Sequence, residues 1–260
     1  MRALSIAKFE EGITNEDAAI ARKGVIAVSD GAGGGGVFAE FWSRYLVEHL
    51  PDTPICNYKA FDKWVEKIWE PFYNNSEKKA KEIGGLFLNK FYDEGSYATL
   101  VAVWQKGQWI SYGDSVVFCY NRKSGELQHS FTSLSDFNNP PYLVNCKDPL
   151  NSNGFRCGKF KVSKDCVLFA ASDTLAHYIL MMYEVAKKKR FADELQKAID
   201  ANTKNSNYIK AAMAIEKIDF GRDVVRKLLY CERDFLLKNH IKGLKKKKLI
   251  GHDDYSLVIM

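Results

Sequence analysis

Five places in the chain put a carboxylate where an apolar run meets a loop. Asp30 ends "VIAVSD" and Asp173 ends "VLFAASD". Asp114 follows "WISYG". Asp253, with Asp254 beside it, immediately precedes "YSLVIM", and the pair Glu16-Asp17 opens "DAAIA". A carboxylate at the edge of an apolar core is costly unless it is paired or binds a metal. One such residue is ordinarily a turn former or a helix cap, and Asp173, ahead of "TLAHYILMM", fits that reading by itself. Five are harder to assign to turns. Brought to one rim, they would form an all-oxygen site suited to hard divalent cations, magnesium or manganese. Histidine and cysteine are missing from most of the set, which disfavours zinc.

The glycines after Asp30, "GAGGGG", invite a phosphate-loop reading. No Gly-Lys-Ser/Thr follows them, and no Gly-x-Gly-x-x-Gly opens a helix, so that reading is weak. The six cysteines are scattered without a Cys-x-x-Cys pair, and Cys119 and Cys166 lie in apolar runs as buried thiols would.

These carboxylates need strands behind them. "ALSIAKF", "DAAIAR" and "GVIAVSD" read as short strands. Helical stripes follow, one through Phe38, Trp42, Tyr45 and Leu46 and one through Phe61, Val65, Ile68 and Phe72. "YATLVAVWQKGQWISYGDS" reads as a hairpin around Lys-Gly, and "VVFCYNRKSGELQHSF" as another around Lys-Ser-Gly. An irregular stretch runs to about residue 158, "DCVLFAASD" is a further strand, and the chain is helical from about 174 to 239. "YSLVIM" closes it and must insert among strands made much earlier. Hairpins imply mostly antiparallel sheets, and elements in blocks imply an α+β fold.

Composition sets the outer bounds. The chain has 260 residues, 46% hydrophobic and 27% charged, enough for a sizeable core. No linker or repeat divides it, so residues 1–260 are expected to form one domain. The net charge of +6 owes much to "KKKR" at 187–190 and "KKKK" at 245–248. Without interleaved aromatic residues these runs read as solvated helix ends, which argues against nucleic-acid binding. The early acidic residues do not suit a signal peptide, and no apolar stretch suits a membrane span. A cytoplasmic protein with reduced thiols is the expectation.

In order, "NEDAAI", "VIAVSDGAGGG", "GSYATLVAV", "SYGDSVVF", "VLFAASDTL" and "HDDYSLVIM" resemble the successive motifs of the metal-dependent protein phosphatases of type 2C. The resemblance runs from about residue 5 to the end. It implies an α-β-β-α sandwich of two antiparallel sheets flanked by helices, with two cations, Mn2+ or Mg2+, at one edge. It implies that Asp30 bridges both ions, that Gly31 offers a backbone carbonyl, and that Asp173 and Asp253 hold one ion. Glu16 and Asp17 match the acidic pair that reaches the metals directly or through water. Asp114 matches an aspartate that serves a weaker third site. The implied reaction is hydrolysis of phosphoserine and phosphothreonine in proteins by metal-activated water, without a phospho-enzyme.

Four departures stand against the pattern. The family's phosphate-clamping arginine before Asn-Glu-Asp is replaced here by Gly12 in "FEEGITNED". Lys8, Arg22 and Arg156 are the candidates to substitute for it. The family's late Asp-Gly is Asp173-Thr174, and the aspartate four residues on is His177, either a packed histidine or a nitrogen ligand of the third site. The segment 131–158 is short and lacks the family's Asp-His-Ser stretch, so an unusual substrate-facing flap is expected. The alternative function is a weak or inactive scaffold on the same fold.

Overall fold

The computed structural model describes residues 1–34, 36–187 and 192–260. Gly35 of the glycine stretch and most of the "KKKR" run lie outside the described residues. Three strands open the chain: β1 (Arg2–Ile6), β2 (Ala18–Arg22) and β3 (Val25–Ser29). Helices α1 (Ala39–Glu48), α2 (Tyr58–Ile83) and α3 (Gly85–Glu94) follow. The second strand block is β4 (Tyr97–Ala98), β5 (Leu100–Trp104), β6 (Gln108–Tyr112), β7 (Val116–Asn121), β8 (Leu127–His129), β9 (Val144–Asn145), β10 (Phe155–Lys159) and β11 (Cys166–Ala171). Helices α4 (Asp173–Ala186), α5 (Ala192–Asp200) and α6 (Lys204–Met213) lead to a π-helical turn at Gly221–Val225, then α7 (Arg226–Leu229), α8 (Asp234–Lys246) and β12 (Tyr255–Ile259).

Two five-stranded antiparallel sheets result, one ordered β1-β12-β11-β7-β8 and the other β10-β6-β5-β3-β2. The last strand does insert between early and late ones. The expected α+β sandwich is the architecture found. The period of two explains the layering. Ile26 and Val28 of β3, Val101 and Val103 of β5, Val117 and Cys119 of β7, and Leu168 and Ala170 of β11 point inward and form the core between the sheets. The alternate residues face helices. Val25, Ala27, Leu100 and Ala102 pack under α1 and α2. Val116, Phe118, Phe169 and Leu257 pack under α4 and α8. Strands covered on both faces read as continuous apolar runs, and β3, β5 and β12 are buried throughout.

The irregular reading of residues up to 158 needs correcting, since β10 begins at Phe155 and pairs with the edge of β6. "KKKK" is the last turn of α8 and its end, where cations meet the helix's negative pole. None of the helices among the described residues is long and apolar enough to cross a membrane.

Candidate metal centre

Strand register alone carries the carboxylates to one edge. Ala18 pairs with Ser29, so Asp17 and Asp30 leave β2 and β3 at the same end. Leu100 pairs with Tyr112 there, which puts Asp114 beyond the end of β6. In the other sheet, Ala171 of β11 pairs with Val116 of β7 and Leu257 of β12. Asp173 and Asp253 therefore join the same rim, and Asp114, between β6 and β7, lies where the chain passes from one sheet to the other.

Hydrogen bonds fix these ends. The Thr99 hydroxyl accepts from Asp30 N–H at 3.1 Å and meets the Ser115 hydroxyl at 2.9 Å. Thr99 N–H donates to the Asp30 carbonyl at 2.8 Å. Asn15 Oδ1 accepts from Asp17 N–H at 3.1 Å. Asp254 is a brace: its carboxylate accepts from Lys8 N–H at 2.8 Å and from Glu16 N–H at 2.7 Å. Gly31 is a position where the local packing demands glycine. A Cβ there would stand 2.6 Å from the Glu16 carbonyl and 2.8 Å from that of Ala39, so only glycine lets these chains meet. Gly33 likewise leaves room for the Glu16 carboxylate.

The electrostatics are those of crowded acids. Burial pushes Asp30 well above the ordinary carboxylate range, and Asp17, Asp173, Asp114 and Asp253 push it further. Burial, opposed by the nearby Ser172 hydroxyl, raises Asp17, and Asp173 and Asp254 add to the rise. Asp114 is pushed up to about 8 and Asp173 to about 6, again by burial first and neighbouring carboxylates next. Glu16 is raised by burial but is influenced by Lys8, Asp254 and Glu40, which sets it toward the glycine loop and away from the other five.

No three His, Cys, Asp or Glu side chains among the described residues are drawn close enough to form a ready ligand set. The donors still fit hard divalent cations. Both Asp17 carboxylate oxygens are buried with no partner in hydrogen-bond geometry. Buried, mutually repelling carboxylates are what a cation neutralises.

The other candidates separate cleanly. Arg22 sits at the far end of β2, paired with Val25, and its guanidinium engages the Leu50 carbonyl and Asp52, so it is removed from the rim. Lys8 lies at the rim end of β1, close enough to lower the Glu16 pKa. Arg156 projects from β10 beside Asp114. It donates to the Gly113 carbonyl at 3.1 Å and to the Thr132 hydroxyl at 2.8 Å, and it lies over the Phe131 ring. His177 meets the Phe137 ring edge-on, burial alone pushes it down to about 4, and its Nε2 is buried with no hydrogen-bond partner, so both readings of it stand. Gly12 has φ of +74°, a left-handed turn with open space around it. The brace made by Asp254 and the approach of Gly33 to Glu16 were not read from the sequence; the Asp-Asp doublet was the available signal.

Similar solved structures carry this fold. The catalytic domain of the serine/threonine protein phosphatase PstP, in complex with two manganese ions, superposes with a TM-score of 0.53 at 15% identity, covering 99% of this chain and 95% of that one. The serine/threonine phosphatase PstP/Ppp of Mycobacterium tuberculosis gives a TM-score of 0.53 at 15% identity, with 99% and 96% covered. A bacterial serine phosphatase with an arginine-to-lysine mutation gives 0.50 at 12% identity, with 100% and 96% covered. No family model matches the sequence, and no curated protein matches it. The chain has the type 2C phosphatase-like fold.

Proposed function

We propose that this protein hydrolyses phosphoserine and phosphothreonine in proteins and needs two divalent cations, manganese or magnesium. The observation that carries the reading is the gathering of five strand-end aspartates at one rim, where the other four repel Asp30, with the buried Asp17 oxygens lacking a partner in hydrogen-bond geometry. The fold adds support, since a similar structure is a phosphatase in complex with two manganese ions.

Asp30 would serve both cations, Asp173 and Asp253 one of them, and Asp17 and the Gly31 carbonyl would complete the set. Glu16 would act through water and Asp114 at a weaker position. When bound, the cations neutralise phosphate charge and make water acidic enough to attack near neutral pH. The chain's own part is to hold the acids apart yet aligned. The Thr99–Ser115 pair sets the Asp30 turn, and Asp254 sets the Glu16 loop. Arg156 would take a phosphate oxygen; what supports this is that two acceptors hold its guanidinium beside Asp114. Water enters phosphorus and the ester oxygen leaves as the alcohol, so no side chain is phosphorylated.

Hydrolysis of p-nitrophenyl phosphate and of a phosphothreonine peptide should rise with added manganese and stop in EDTA. A trapped phosphoprotein intermediate would overturn the reading. The scaffold alternative draws on Gly12, whose left-handed turn stands where the family's clamp belongs. Manganese binding without turnover under any divalent metal would establish it instead.

A further inference from the structure

A second cleft opens on the helical side of the molecule, away from the carboxylate rim. It has a volume of about 560 Å³ and lies between α4, α8, the π-helical turn and the segment 215–218. Part of its wall is apolar, formed by Tyr178 and Met182 of α4 with Ile218 and Leu249. Its edge is cationic: Lys217, Lys227 and Lys247 surround it, with Arg222 and a single carboxylate, Asp223. Arg222 is already committed to Asp223, through two contacts of 3.0 Å. The three lysines form no ion pair among the described residues.

Two further observations bear on this cleft. His240 lines it, and its Nε2 is buried with no hydrogen-bond partner. Burial first, then the charges of Lys227 and Lys247, push this histidine down to about 4, so it stays neutral near pH 7. A buried polar atom without a partner costs free energy, and a turn of the His240 ring toward the cleft would let a ligand atom recover it. The second observation is the π-helical turn at Gly221–Val225, which places Arg222 and Asp223 at the edge. Single π turns carry an energetic cost and are frequent at functional sites.

We propose that this cleft binds a phosphorylated small molecule of nucleotide size. The phosphates meet Lys217, Lys227 and Lys247, the apolar or aromatic body lies on Tyr178 and Met182, and His240 supplies a neutral hydrogen-bonding atom. The volume lies within the range of small-molecule sites, about 300–1,000 Å³. An acidic protein surface would use the lysines but leave the apolar wall and His240 uncovered. The cleft and the rim share α4, whose first residue is Asp173, so an occupant bears on the helix that carries a candidate metal ligand. The assignment does not depend on the hydrolase reading.

The test is isothermal titration of the full chain with ATP and, separately, with inorganic pyrophosphate, in EDTA so that the carboxylate rim contributes nothing. ATP should bind at one equivalent and more tightly than pyrophosphate, and binding should weaken as salt rises. The double variant Lys217→Glu, Lys247→Glu should weaken ATP by roughly tenfold or more while manganese affinity is unchanged. His240→Ala should weaken ATP without changing the salt dependence. Absence of ATP binding, or equal binding by the charge-reversed variant, overturns the site. Pyrophosphate binding as tightly as ATP overturns the class of ligand.

Discussion

Replacing Asp30 by asparagine removes one charge from a place where four other aspartates repel it. In EDTA the variant should therefore be at least as stable as the wild type, because a buried, raised carboxylate costs the folded state when it ionises. Its manganese affinity should fall by more than about 100-fold, beyond the ~10–100-fold typical of outer-shell partners. Undiminished manganese binding would remove Asp30 from the centre. His177 gives a prediction of opposite sign. Its pKa is pushed down to about 4 from an ordinary 6.5, so its contribution is full above pH 6.5 and is lost as pH falls toward 4. The loss amounts to at most about 3 kcal/mol. Denaturant titrations at pH 7 and pH 4.5 should show a smaller acid loss for His177→Leu than for the wild type; equal losses would mean the histidine protonates without cost. The aspartates could be picked out because each flanks an apolar run. Arg22 is near Asp17 in sequence, but the length of β2 separates the two in space.

Elements were legible where burial imposed a pattern. β3, β5 and β12 are covered on both sides and show it as unbroken apolar runs. β10 is an edge strand, half-exposed, and its Cys157 and Gly158 give no alternation. Gly158 is nonetheless specific: a Cβ would stand 2.6 Å from the Trp109 ring. α3 escaped notice because Phe91 is its buried anchor and most of its surface is open. α2 continues through Pro71 to Ile83, past the end of its aromatic stripe. The missed strand matters because it carries Arg156. Hydrogen bonds to charged groups contribute about 1.5–3 kcal/mol, so Arg156→Ala should cost on the order of 10–100-fold in kcat/KM, chiefly through KM. Arg156→Lys should recover part of the loss. Manganese affinity measured alongside should not change. If it falls with the activity, Arg156 acts by holding the Gly113 turn and Asp114, and the clamp lies elsewhere. Gly12→Arg is a poor rescue, since a side chain at φ of +74° costs roughly 1–2 kcal/mol in the backbone.

The rim draws on both sheets. Asp17 and Asp30 come from the ends of β2 and β3, while Asp173 and Asp253 flank β11 and β12 of the facing sheet. The sheets are also joined by the inner core of valines and isoleucine between them. The insertion of the last strand among earlier ones was legible, because an apolar run of that kind needs cover on both faces; that β1 is one of its neighbours was not. The division of strands between two sheets was not, since β6 and β7 are consecutive yet belong to different sheets, and it came from the family resemblance. A cation held by carboxylates of both sheets binds the folded sandwich and not the unfolded chain. Manganese at 100 times its dissociation constant should add about 2.7 kcal/mol per site. At about 2–4 °C per kcal/mol for a chain near this size, each site should raise Tm by roughly 5–10 °C. Thermal melts across a manganese series should show one transition that moves upward as a whole, returns in EDTA, and stays fixed in Asp30→Asn. Two transitions, with only one responding to manganese, would mean that the sheets and their helices unfold separately and that residues 1–260 do not act as one domain. An equal rise in Asp30→Asn would place the cations somewhere other than the shared rim.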